Sequence, residues 1–317
     1  MAHQLEQMAY VGDTPWHGLG NCLSPSQPLE VWQREAGMDW AIQETPVRFT
    51  TPEMLSEFPE QKVLYRSDSG AALSVVSKRY QVVQPREVLE FYRDLTTVSG
   101  YELETAGVLK GGRKFWALAR SGQSTSLKGG DEISGYLLLA TSCDGSLATT
   151  ATPTTVRVVC NNTLAIAVNG ASEAIKVPHN TRFDPECIKR RLGIAVSKWD
   201  EFMYRMRVLA DRKVDSSETN AFIRHVLYGV EPQIEILEKA RNERAITVVH
   251  QMYEGAGKGA ELASAKGTAW GLLNAVTEYV DHKRRARSTD YRLDSAWFGQ
   301  GATIKQRALD AALDLVA

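Results

Sequence analysis

The pattern of apolar and polar positions changes its period near the middle of the chain. In the first half, β-branched and aromatic residues come in short runs: Trp40, Ile42 and Val47, then Val63 to Tyr65, Leu73 to Val76, Tyr101 to Leu109, Lys114 to Ala119, Gly135 to Ala140 and Leu147 to Ala151. Runs of this kind, bounded by Gly, Asp and Ser, read as strands. The turns between them are Ser67-Asp68-Ser69-Gly70, Lys110-Gly111-Gly112-Arg113 and Thr141 to Ser146, the last containing Asp144-Gly145. Hairpins that succeed one another without crossover helices build an antiparallel sheet. Two helices accompany them. Leu29 to Ala36 is short and stops at Gly37, and Arg86 to Val98 puts Val88, Phe91, Leu95 and Val98 on one face, which is expected to pack on the sheet.

The junction is Thr152 to Val168. Thr154 to Cys160 alternates around Arg157 as a strand does, while Asn161 or Asn162 can cap a following helix that holds Leu164, Ile166 and Val168. A strand that turns into a helix is therefore expected here. Arg157 stands alone among Val156, Val158 and Val159, and a guanidinium keeps its proton, so it must meet water, a buried carboxylate or an anionic ligand.

Beyond Asn169 the period is helical. Asp184-Pro185-Glu186 is a start signal, and Ile188, Leu192, Ala195, Trp199, Phe202, Met206 and Leu209 repeat in steps of four and three, the stripe with which one helix pairs with another. Its other faces carry Lys189, Arg190, Arg191, Lys198, Arg205, Arg207, Arg212 and Lys213, read as a solvated face or a phosphate-contacting one. Further helices are expected at Glu218 to Tyr228, capped by Ser216 or Ser217, at Pro232 to Gln251, at Thr268 to Arg285, and at Ile304 to Val316, which folds back as a cap.

These patterns predict an α+β fold: an antiparallel β-sheet built from successive hairpins with a packed helix, followed by a helical C-terminal module. The expected divisions are an extended N-terminal arm at 1–28, anchored by Trp16 and Leu19, a sheet core at 29–178 and a helical module at 179–317.

Composition narrows the classes. A net charge of −1 over 317 residues gives no overall polyanion signal, so any nucleic-acid contact must come from local clustering. Cys22, Cys143, Cys160 and Cys187 lack paired spacing, which indicates neither a zinc site nor a disulfide framework and suits a reducing, cytoplasmic setting. No run of about 18 apolar residues is present, so no membrane association is expected.

Gly255-Ala256-Gly257-Lys258-Gly259 invites a phosphate-loop reading, but Met252 stands where the first Gly is needed and Gly259 where a Ser or Thr is needed, so a flexible connector is expected. Glu278 and His282 are one turn apart, with Asp281 beside them, and read as a packing face more readily than as metal ligands. The His residues are scattered and no nucleophile–base motif occurs; a metal-dependent nuclease would draw first on Asp144, Glu278, Asp281 and His282. No cofactor is indicated.

Basic and aromatic residues do cluster. Lys110, Arg113 and Lys114 sit at a hairpin tip with Phe115 and Trp116 following, Lys78-Arg79-Tyr80 closes a strand, and Arg157 completes the set. Cations that hold phosphates beside rings that stack on bases are what a single-strand groove uses, each stacked base contributing about 1–3 kcal/mol with little sequence preference. Phe115 and Trp116 are adjacent in a strand, so only one of them can face such a groove.

Four separated motifs, Trp16-His17-Gly18-Leu19-Gly20, Val76 to Gln84, Val156 to Leu164 and Asn274 to His282, resemble the phage/plasmid-like family called domain of unknown function 932. The resemblance runs nearly end to end. It implies a phage or plasmid protein and a distant similarity to single-strand annealing recombination proteins. The expectation is a non-catalytic, strand-annealing type recombination protein that binds single-stranded DNA and forms a homo-oligomer, working with phage or plasmid replication or recombination. The alternatives are a metal-dependent nuclease and a host-defence-interacting protein without nucleic-acid activity.

Overall fold

The computed structural model describes residues 5–12, 20–99, 101–157, 162–165, 167–168, 171–172, 174–188, 190, 199–229 and 236–317. Trp16, His17 and Leu19, Val158 to Asn161, and Lys189, Arg191, Leu192, Ala195 and Lys198 lie outside those residues.

The fold is α+β, with mostly antiparallel sheets and a helical C-terminal region. The main sheet has the order β10-β9-β8-β7-β6-β1-β2, and β13 also pairs with β9. Its strands are β1 Leu5–Val11, β2 Asn21–Leu23, β6 Glu102–Leu109, β7 Lys114–Leu127, β8 Asp131–Ser142, β9 Thr149–Arg157, β10 Asn162–Ala165 and β13 Ile175–Val177. Two features of this sheet differ from the reading of the sequence. Leu5–Val11, expected in an extended arm, is a strand paired antiparallel with β6, and its bond to β2 is parallel. The junction is not strand-to-helix: Asn162–Ala165 turns back as β10 against β9, with Thr163 opposite Val156 and Leu164 opposite Thr155. A short apolar run fits either state, and here Thr154 and Thr155, both donating side-chain bonds to the Leu164 carbonyl, fix the extended form.

A second sheet holds β3 Ile42–Thr50, β4 Leu55–Arg66 and β5 Ala72–Ser77, all antiparallel, and β11 Ala167–Val168 pairs with β12 Ala171–Ser172. β5 reaches only as far as Gln61 along β4, so residues 47–58 continue as a two-stranded ribbon. On that ribbon Val47 faces Phe58, Arg48 faces Glu57 and Phe49 faces Ser56.

The chain divides into two compact units. The first comprises Met1–Gly122, Tyr136–Pro153 and Ala174–Ile194, and the second Gln123–Gly135, Thr154–Glu173 and Ala195–Ala317. In the first unit, α1 Leu29–Glu35 and α2 Pro85–Ser99 accompany the strands. Val88 and Phe91 of α2 are buried as their spacing requires, and Tyr92 directs its hydroxyl at the Ala117 and Leu137 carbonyls, at 3.0 and 2.9 Å. Burial pushes that phenol well above its ordinary pKa.

The second unit is built on α3 Trp199–Asp211, α4 Ser216–Tyr228, α5 Ile236–Gln251, α6 Ala269–Glu278, α7 Thr289–Phe298 and α8 Gln300–Asp314. Trp199, Phe202, Met206 and Leu209 join one apolar core with Ile223, Val249, Leu273, Val276 and Leu309, so these four positions of the heptad-like stripe are spent on packing within the unit. α8 is part of that core rather than a cap laid over it. Asp215, not Ser216 or Ser217, caps α4: its carboxylate accepts from the Glu218 amide while Glu218 accepts from the Asp215 amide. Gly271 is required in α6, because a Cβ there would stand 2.0 Å from the Ala265 carbonyl oxygen. Among the described residues no helix is long and apolar enough to cross a membrane.

Candidate nucleic-acid interface

The candidate surface belongs to the first unit and begins at the end of β5. After Ser77 the chain makes a tight turn in which the Lys78 amide donates to the Glu60 carbonyl and the Tyr80 amide to that of Ser77. Lys78 and Arg79 are thrown outward, and both are exposed. Tyr80 points inward. Its hydroxyl donates to the Ser142 carbonyl at 2.9 Å, and burial raises its pKa to about 12.

Ser142 opens the loop between β8 and β9, and the same loop is bonded to the hairpin tip between β6 and β7. The tip is a single 3-10 turn, Lys110–Gly112, in which Lys110 takes a left-handed φ of 56°. The Cys143 amide donates to the Arg113 carbonyl at 2.8 Å, and its thiol faces the Gly112 carbonyl. Arg113 is exposed beside this contact. Desolvation pushes the Cys143 thiol to about 12. Burial opposes ionisation of Asp144 in the same loop, but hydrogen bonds from Ser146 and Ser142, with the charge of Lys114, outweigh it and hold the carboxyl below its usual value.

A third segment completes the arrangement. His179 stacks on Tyr80 with ring centroids 4.4 Å apart and planes 19° from parallel. Its Nδ1 lies 3.1 Å from the Gln81 carbonyl and its Nε2 2.8 Å from the Leu147 carbonyl, while its own carbonyl accepts from the Gln81 amide at 2.6 Å. One histidine thereby ties residues 178–181 to both the Lys78–Gln81 turn and the 142–147 loop. Nothing in the sequence around His179 singles it out, because its stacking partner Tyr80 is about a hundred residues away.

The predicted site residues divide into two sets. Lys78, Arg79, Tyr80, Lys110 and Arg113 come together around the 142–147 loop. Lys114 and Trp116 are 5% and 2% exposed, because β7 is covered on both faces from Lys114 to Ala119; Phe115 is buried too, edge-on to Trp40. Arg157 is 3% exposed and lies in the second unit, held by Asp131, with further bonds to the Lys258 and Gly259 carbonyls. Of the three environments open to it, the buried carboxylate is the one it occupies.

The distribution of ion pairs separates this surface from the rest of the first unit. Arg34, Arg48, Lys62, Arg66, Arg86 and Arg120 each have a carboxylate within salt-bridge distance. Lys78, Arg79 and Arg113 have none among the described residues, nor do Lys176 and Arg182 in the segments flanking His179.

In the second unit the carboxylates suspected of metal binding have other work. Glu278 accepts from the Lys258 amide at 3.0 Å, and burial raises its pKa. Asp281 accepts from Lys305 at 2.8 Å and from the Thr163 amide and hydroxyl. Among the described residues, no group of three His, Cys, Asp or Glu side chains is placed to hold a metal ion. Through Glu278 and Arg157 the Gly255-to-Gly259 segment is anchored rather than loose.

A family model for a domain of unknown function, DUF932, matches residues 72–297. The chain belongs to that family. The match takes in the Lys78–Gln81 turn, the Lys110–Arg113 tip, the 142–147 loop and His179 of the DUF932 chain, as well as most of the second unit. Comparison with curated proteins and with solved structures gives no match.

Proposed function

We propose that this DUF932 protein binds single-stranded DNA through the first unit, as a non-enzymatic, strand-annealing type recombination protein of a phage or plasmid. The observation that carries the reading is the group of exposed cations at Lys78, Arg79 and Arg113, which have no carboxylate partner among the described residues, on a unit whose other described cations are largely paired. Unpaired guanidinium and ammonium groups on a bonded set of turns attract phosphate without demanding a base sequence. Lys110, at the same tip, adds a fourth charge from a strained backbone position, and strain of this kind gathers at ligand clamps.

Annealing requires several copies to act together. The ribbon at 47–58 supports self-association: Phe49, Met54, Leu55 and Phe58 are 47%, 63%, 59% and 40% exposed, on an element that is marginal when only two strands wide. Its cross-strand pair Arg48–Glu57 carries both signs side by side, so a second copy meets no net repulsion.

The test is anisotropy of a labelled single-stranded oligonucleotide across a salt series. About three phosphate contacts give a log–log slope near −2, or roughly a 20-fold loss of affinity between 50 and 200 mM salt. A Lys78→Ala/Arg79→Ala/Arg113→Ala variant is expected to flatten that slope. Salt-independent binding, or none, rejects the reading.

A further inference from the structure

One cavity of the first unit begins on β13 at Lys176, and Pro178 and Thr181 of its lining lie on either side of His179 in the chain. It is an open groove of about 690 Å³ running from Lys176 to Ile188, a size suited to a small organic ligand. Pro178, Phe183 and Ile188 make its walls apolar. Phe183 is half-buried, and its ring centroid is 6.3 Å from that of Phe91 on α2, which fixes its orientation. Lys176 and Arg182 line the same groove, are exposed and have no carboxylate partner among the described residues. Asp184 is the acid in the wall, and its carboxylate is turned onto the Glu186 and Cys187 amides at 3.0 and 3.2 Å. The groove thus combines an apolar face with two cations that lack a carboxylate partner among the described residues and one acid already bonded to the backbone.

We infer that this groove is a seat for one nucleotide of the single strand, continuing the path that starts at Lys78, Arg79 and Arg113. Lys176 and Arg182 engage the phosphate and the Phe183 face receives the base. The inference rests on the binding role proposed above and extends it from a charged surface to a defined base pocket. Continuity of the path follows from His179, which sits between Lys176 and Arg182 in sequence and is bonded to Gln81 beside Lys78 and Arg79. Aromatic stacking beside backbone cations is the chemistry of sequence-tolerant single-strand binding, and no 2′-hydroxyl or base-edge reader is required for it.

The experiment uses the full chain with labelled oligothymidylates of about 4 to 16 nucleotides, the span of such site sizes. Wild type is compared with Lys176→Ala/Arg182→Ala and with Phe183→Leu, which keeps the apolar packing and removes the ring. The cation variant is expected to bind the longest oligonucleotide about tenfold more weakly, with a salt slope shallower by about 1.4. Its affinity should also stop rising at a shorter length than wild type. Phe183→Leu is expected to lose roughly tenfold with the salt slope unchanged. If both variants follow wild type at every length while Lys78→Ala/Arg79→Ala/Arg113→Ala loses binding, the groove is not on the path and the surface reading stands. If wild type binds no length at low salt, both fail together.

Discussion

Arg157 and Asp131 face each other in a bidentate pair inside the second unit, with Nε to Oδ1 at 2.7 Å and the second nitrogen to Oδ2 at 2.8 Å, and the two side chains 3% and 0% exposed. Ser264 and the Trp270 indole also donate to Asp131. Removing the carboxylate would leave a guanidinium buried without a counter-charge. Asp131→Asn is therefore expected to lower stability by about 3–5 kcal/mol, read from urea unfolding, whereas Asp131→Leu/Arg157→Met is expected to recover most of that loss. Equal losses in both variants would mean that the pair itself, rather than the orphaned charge, sets the effect.

Asp68 is held by Arg66, with bonds of 2.9 and 2.6 Å, and these lower its pKa from 3.8 to about 2. A carboxylate depressed in the folded state adds stability that is fully present above its unfolded pKa, near pH 4, and is lost as pH falls toward 2. Asp68→Asn should melt below wild type at pH 6, and the two should converge near pH 2. With 41% of the Asp68 side chain exposed, the difference at pH 6 is expected to stay under about 1 kcal/mol.

His179 holds two carbonyls and one aromatic face at once. His179→Ala should release residues 178–181 from the Lys78–Gln81 turn and from the 142–147 loop, costing about 1–3 kcal/mol. Hydrogen exchange localises the effect. The Gln81 amide, bonded to the His179 carbonyl, is expected to exchange faster in the variant, while amides of α6 keep their protection.

Much of the sheet was legible because its turns are written in Asp and Gly. The hairpin tips at Asp68 to Gly70 and at Lys110 to Arg113 fall where their sequences place them. The demand of Arg157 for a buried or anionic partner was legible too, but Asp131 lies 26 residues away and nothing local points to it. β7 misled because burial on both faces removes the alternation that separates an inward ring from an outward one, so Trp116 and Lys114 read as surface residues. At Asn162 to Ala165, a run too short to show a period took its conformation from pairing with β9. The clamp between Tyr80 and His179 joins segments far apart in the chain, and only the folded chain brings Lys78, Arg79, Lys110 and Arg113 around it.

The ribbon yields a further expectation. Phe49→Ser/Phe58→Ser removes the aromatic pair from one face without touching the core, and sedimentation velocity should then show a lower mean mass than wild type at the same concentration. An unchanged mass would exclude the ribbon as the contact between copies.

The central claim concerns position rather than bulk charge, and one paired measurement addresses it. Labelled single-stranded DNA is titrated at about 50 mM salt with Lys78→Ala/Arg79→Ala/Arg113→Ala and with Arg34→Ala/Arg86→Ala/Arg120→Ala, which removes the same number of charges from ion-paired positions of the first unit. The account predicts at least a tenfold loss for the first variant and less than a twofold change for the second. Equal losses in the two would contradict it.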